Sequence, residues 1–157
     1  MIDPATNTVT NATAQMVAEL NGLLADHFAL YVKTKNFHWH VKGPRFRDLH
    51  LLFDEQAIEL QGQIDVIGER VRKLGADTLT SVGSIAQSTS ISDENRADLS
   101  AEDMVAQLRD DNAAMVAKLK SMKDVADRAS DNATDGLLDD WTDMAEQRVL
   151  FLTSLLG

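Results

Sequence analysis

"RFRDLHLLFDEQAIELQGQIDVIGERVRKLG", residues 45–75, decides the fold. Phe46, Leu49, Phe53, Ala57, Leu60, Ile64, Ile67, Val71 and Leu74 recur at steps of three and four. That spacing puts them on one stripe of a helix, and the run is far too long for a strand. Gly75 is a natural stop, because only glycine enters the left-handed turn that ends a helix without cost. A helix apolar along one stripe alone has to bury that stripe against other helices.

The flanking sequence supplies those helices. Upstream, Val17, Leu20, Leu24, His27 or Phe28, Tyr31 and Thr34 follow the same period, so a first helix is expected from about residue 12 to 37. Gly43-Pro44 breaks the chain between the two. Downstream, "ADTLTSVGSIAQSTSISDENRADLS", residues 76–100, is long and polar for a loop of a compact domain. Ser92-Asp93-Glu94 reads as the start of a short helix within it. Ser100-Ala101-Glu102-Asp103 resembles a capping box with Asp in place of Glu, opening a third helix to about 129. "SDNATDG" then caps a fourth, from about 133 to 156. The expectation is all-α: one four-helix bundle over residues 1–157, with a short extra helix in the crossover between helices 2 and 3. Residues 1–11 are expected as a flexible N-terminal tail.

Composition narrows the function. The net charge is −10, the first Lys or Arg is Lys33, and no basic tail follows Arg148. Such a chain repels phosphate backbones and suits cations. Cysteine is absent, which excludes disulfides and thiolate metal sites. No stretch approaches the roughly 20 apolar residues that span a bilayer. "MIDPATNTVTNATAQ" has neither a basic nor an apolar signal region, so a cytoplasmic protein without membrane contact is expected.

The polar groups of residues 45–75 then point to a metal. At about 100° per residue, with His50 as zero, Asp54 falls near 40°, Asp65 near 60° and Glu69 near 100°, while the apolar stripe centres near −65°. Four candidate ligands therefore share one flank, away from the side that must face the bundle. No Glu stands three residues before any His, so the inward Glu-x-x-His metal site of di-iron bundles is not available. His50/Asp54 and Asp65/Glu69 are roughly 22 Å apart along the helix. One ion cannot touch both pairs in one chain. An antiparallel pairing of two such helices about a two-fold axis near residues 59–60 would unite His50/Asp54 of one chain with Asp65/Glu69 of its mate. Ile58, Gln61 and Gly62 point to that flank, with Ile58 expected to bury at the axis. A short turn would bring His38 beside His50. Two imidazoles with three carboxylates suit a borderline ion such as Fe(II). The competing reading, solvated acids and an isolated surface histidine, stays open at this level.

"HWHVKGPRFRDLHLLFDEQAIELQGQIDVIGERVRKLG", residues 38–75, resembles the Dps family of dodecameric miniferritins, which protect DNA during starvation. The likeness lies in His-Trp, Gly, Phe, then Leu-His, three residues, Asp, ten residues, Asp, three residues and Glu-Arg. It implies a ferritin-like fold, a homododecamer built on two-fold dimers, and ferroxidase activity. Fe(II) would be oxidised by hydrogen peroxide at inter-subunit sites and iron stored as ferric mineral, against oxidative stress. Carried over by position, the metal ligands are His38, His50 and Asp54 of one subunit with Asp65 and Glu69 of the next. Trp39 is implied as a radical interceptor at the centre, or else as a packing aromatic. His27 and His40 match no ligand position and are read as structural. Binding needs neutral imidazole, so activity should fall below about pH 6.

The resemblance also implies acidic three-fold pores. Asp131, Asp135 and Asp139, spaced by four, are the candidates, with Asp140 and Asp143 as rivals; ordinary helix N-terminal acids are the alternative. Two departures stand out. Gly68 precedes the Glu-Arg pair where the family often has Ala, and the lysine-rich tails with which many members hold DNA are missing. Direct DNA binding is therefore expected to be weak. A DNA-compacting protein and a plain helical interaction module are the rival readings.

Overall fold

The protein is described by a computed structural model over residues 4–157, with side chains from Asn11 onward. Among the described residues five helices are present: α1 (Pro4–His40), α2 (Phe46–Lys73), α3 (Val82–Ser88), α4 (Ala101–Arg128) and α5 (Asn132–Leu156). Among the described residues there is no strand. The two long hairpins α1–α2 and α4–α5 pack together through α1 and α4 into a four-helix bundle, and the short α3 leans on α1. The all-α expectation thus holds.

The apolar stripes became the core. Leu49, Phe53, Ala57, Leu60, Ile67 and Val71 of α2 are buried, facing Leu20, Leu24 and Phe37 of α1 and Met104, Leu119 and Leu138 across the bundle. Phe46 departs from the stripe. It is 45% exposed at the start of α2, where no partner helix covers it.

Helix ends follow local chemistry. Gly75 sits at φ +82, with Gly75 N–H on Arg72 O and Ala76 N–H on Val71 O, the paired bonds that satisfy a helix's last carbonyls. Ser130 performs the same service after α4 at φ +53, with its N–H on Asp127 O and that of Asp131 on Ala126 O. There a non-glycine residue occupies the left-handed region. Ser100 caps α4, accepting from Asp103 N–H at 3.1 Å.

Two boundaries differ from expectation. α1 begins at Pro4 rather than near residue 12, so residues 4–11, expected within the tail, are helical; residues 1–3 lie outside the described residues. Proline suits a first helical position, and the Thr- and Asn-rich segment that follows has no apolar period to reveal it. The extra helix lies at Val82–Ser88, not at Ser92. Ser81 and Ser84 cap it reciprocally, each hydroxyl accepting the other's backbone N–H. The segment from Thr89 to Glu94 is held elsewhere by tertiary bonds. The buried Asp26 carboxylate accepts from Ser90 N–H (2.6 Å), Thr89 Oγ1 (2.8 Å) and Ser90 Oγ (2.8 Å), and pairs with Lys118 (2.8 Å). Lys33 donates to Ser92 O and Asn36 to Glu94 O. These bonds outweigh the helix-start signal of Ser92-Asp93-Glu94.

Candidate metal centre

The α1–α2 hairpin brings His38 and His50 face to face. Their rings stack with centroids 3.9 Å apart and planes 15° from parallel. Each Nδ1 meets the other residue's backbone carbonyl: His38 Nδ1 to His50 O at 2.7 Å, His50 Nδ1 to His38 O at 2.8 Å. A carbonyl only accepts, so each Nδ1 carries a proton, and in the neutral form of either ring it is Nε2 that keeps the lone pair. This reciprocal bond fixes the orientation of both imidazoles. Phe46 stacks on the outer side of His50 at 5.0 Å.

Asp54, one turn beyond His50, stands next to this pair. Its Oδ1 lies 3.9 Å from His38 Nε2 and 2.6 Å from Lys35 Nζ. The hydrogen bond from Lys35 holds the Asp54 carboxyl below the usual carboxylate range, against a smaller opposing effect of burial. Asp54 is thus a carboxylate at any neutral pH.

Asp65 and Glu69 are exposed further along α2 and form no hydrogen bond or ion pair among the described residues. Among the described residues of one chain, no three His, Cys, Asp or Glu side chains are gathered to hold a metal. Leu51 (45%), Ile58 (58%) and Val66 (38%) are exposed on the same flank, and Val32 (60%) and Trp39 (64%) extend it over α1. Trp39 is therefore not a core packing residue of this chain.

Among the described residues the bundle interior gathers no metal-holding group of side chains. Arg148, 3% exposed, fills the interior: its guanidinium pairs with Glu59, donates to Asn112 Oδ1 at 2.7 Å and touches Met115 Sδ at 3.5 Å. A protein cation thus sits where di-iron bundles gather inward carboxylates. Burial, reinforced by the Arg148 charge, pushes the His27 pKa down to about 4, so His27 is a neutral core residue donating to Leu23 O. His40 bonds Asn36 on the surface at the end of α1.

Of the pore candidates, Asp131 is committed within the chain. It caps α5, accepting from Thr134 N–H and Thr134 Oγ1, and pairs with Arg70 of α2 at 3.1 Å. Asp135 and Asp139 share Lys123, at 2.9 and 2.6 Å, and Asp139 is 66% exposed.

Sequence reasoning missed Lys35, the carbonyl lock and the Arg148 network. Lys35 had a signal: it is three residues before His38, so it shares that face of α1. In an antiparallel hairpin that pairs 38 with 50, it falls level with Asp54.

A ferritin-like domain family model matches residues 17–157. The DNA protection during starvation protein of Brevibacillus brevis is 38% identical over 143 residues, spanning 90% of this chain and 95% of that one. A crystal structure of a Dps protein from Bacillus brevis superposes with TM-score 0.90 at 35% identity, over 94% of this chain and 98% of that one. A Vibrio cholerae O1 Dps protein, described as a member of a broad superfamily of ferritin-like diiron-carboxylate proteins, superposes with TM-score 0.89 at 25% identity over 94% and 92%. On this sequence match, this fold and this paired-histidine hairpin, the chain belongs to the Dps family of ferritin-like proteins.

Proposed function

We propose that this protein is a ferroxidase and iron-storage subunit of a dodecameric shell. Fe(II) is its substrate, bound between two-fold-related chains by His38, His50 and Asp54 of one and Asp65 and Glu69 of the other. The single observation that carries the reading is the reciprocal imidazole–carbonyl lock, which leaves two Nε2 lone pairs prepared for a divalent ion. The exposed apolar flank around Ile58 supports a covering second chain, since contiguous exposed apolar surface marks an interface.

The chemistry balances with hydrogen peroxide as oxidant. Two Fe(II) each lose one electron, the O–O bond breaks, and two protons complete two waters. Neutral imidazoles hold the entering ferrous ion, and the carboxylates favour the more highly charged ferric product. Trp39, which follows His38 in sequence and is exposed, would donate an electron should a one-electron oxidant escape. Asp135 and Asp139 are the pore carboxylates in this reading, with Lys123 moderating their charge. At −10 per chain the shell carries about −120 formal charge, so DNA is protected by removal of iron and peroxide rather than by direct contact.

The test is His38→Ala/His50→Ala. Peroxide-driven Fe(II) oxidation, followed by ferric absorbance, should slow by about 100-fold or more at an unchanged assembly size. Full activity in that assembled variant would refute the ligand set. A strong gel shift of duplex DNA at low salt, without added divalent metal, would favour compaction instead.

A further inference from the structure

Phe46 belongs by its spacing to the apolar stripe of α2, yet 45% of it is exposed. Its ring has a partner other than the core. The centroid lies 5.0 Å from that of His50, with the planes 27° apart. The His50 imidazole therefore has the His38 ring on its inner side, at 3.9 Å and 15°, and a phenyl on its outer side. Four residues separate Phe46 from His50, the spacing that brings side chains of successive helical turns together. The backbone beneath the phenyl is anchored at both neighbours. Phe46 N–H bonds Gly43 O at 3.0 Å, and Arg45 donates from Nη1 to Leu155 O, in the last turn of α5, at 3.1 Å.

We propose that Phe46 is a positioning residue of the metal site: it clamps His50 from outside, so that Nε2 of His50 keeps its direction toward the entering ion. The inference rests on the ligand set proposed above. The bond from His50 Nδ1 to His38 O, at 2.8 Å, fixes one atom of the ring. It leaves the plane free to tilt about that atom, and a tilt swings Nε2 away from the ion. A ring on each side removes that freedom.

Without the phenyl, the outer side of His50 opens to water, and conformers with Nε2 turned aside become populated. Apparent metal affinity then falls with the fraction of chains still in the competent conformer. A stacked aromatic pair contributes about two- to tenfold to such an equilibrium. An ion once bound meets the same ligands, so the chemical step keeps its rate.

The test titrates Co(II), followed by its visible absorption, into the assembled metal-free protein. Phe46→Leu keeps apolar bulk and loses the flat ring; its Kd should rise by about two- to tenfold. Phe46→Tyr keeps the ring and should bind as wild type. In peroxide-driven oxidation by Phe46→Leu, KM for Fe(II) should rise while kcat holds. Phe46→Met and Phe46→Trp are the second ringless and ring-bearing variants should either first choice impair assembly, which size-exclusion reports. A ringless variant that binds Co(II) as wild type, a ring-bearing variant as weak as the ringless one, or a lowered kcat at unchanged KM overturns the inference. Tight Co(II) binding that survives in His38→Ala/His50→Ala overturns the ligand set itself, whatever Phe46 does.

Discussion

Acid should weaken this fold through His27, and the size of the effect follows from its surroundings. The ring is 1% exposed and donates to Leu23 O, and burial lowers its pKa from 6.5 to about 4. In the unfolded chain it titrates normally. Below about pH 6.5 the unfolded state therefore binds a proton that the folded state refuses, so stability falls with falling pH and levels off near pH 4. The full window is worth about 3 kcal/mol, and the step from about pH 7 to about pH 5 about 2 kcal/mol. Asp26, whose pKa is lowered by Lys118 and Ser90 against the opposing effect of burial, acts only below its unfolded value of 3.8, outside this window. His27→Gln keeps a neutral donor and removes the titration. Urea unfolding of both proteins at the two pH values, at one protein concentration, isolates the His27 contribution. The variant should lose about 2 kcal/mol less than wild type on acidification. Equal losses would refute the reasoning.

Two further perturbations test the packing. Ser130→Gly should raise stability by about 1 kcal/mol in denaturant melts, because the residue sits at φ +53 with its turn bonds made by backbone alone; a loss of stability would contradict the assigned turn. Glu59→Leu should cost about 3 kcal/mol by leaving the Arg148 guanidinium buried without its carboxylate, and Glu59→Leu/Arg148→Met should regain most of it.

The parts of the fold legible in the sequence are those where one side of a helix had a single task. The α2 stripe from Leu49 to Val71 reads directly, and its opposite flank stood out because His50, Asp54, Asp65 and Glu69 share it. The His38–His50 neighbourhood was legible too, since Gly43-Pro44 permits only a short turn. What could not be read depends on distant partners. Thr89 to Glu94 carries a helix-start signal that Asp26, more than sixty residues away in sequence, overrides. Asp131 looked like a free acid of a ridge, yet Arg70 and Thr134 claim it. The exchange of Nδ1 bonds between His38 and His50 is a property of two backbones meeting, with no residue pattern to announce it.

The central claim is that each chain owns half of every iron-oxidising centre. Mixing two inactive variants tests it directly. His38→Ala/His50→Ala lacks one half and Asp65→Asn/Glu69→Gln the other; co-assembled in equal amounts, random pairing about a two-fold axis rebuilds a complete centre at about one site in four. Fe(II) oxidation by the mixed shells should recover to about a quarter of wild type. Activity no higher than that of the two parent variants, in shells shown to contain both chains, would contradict a shared site.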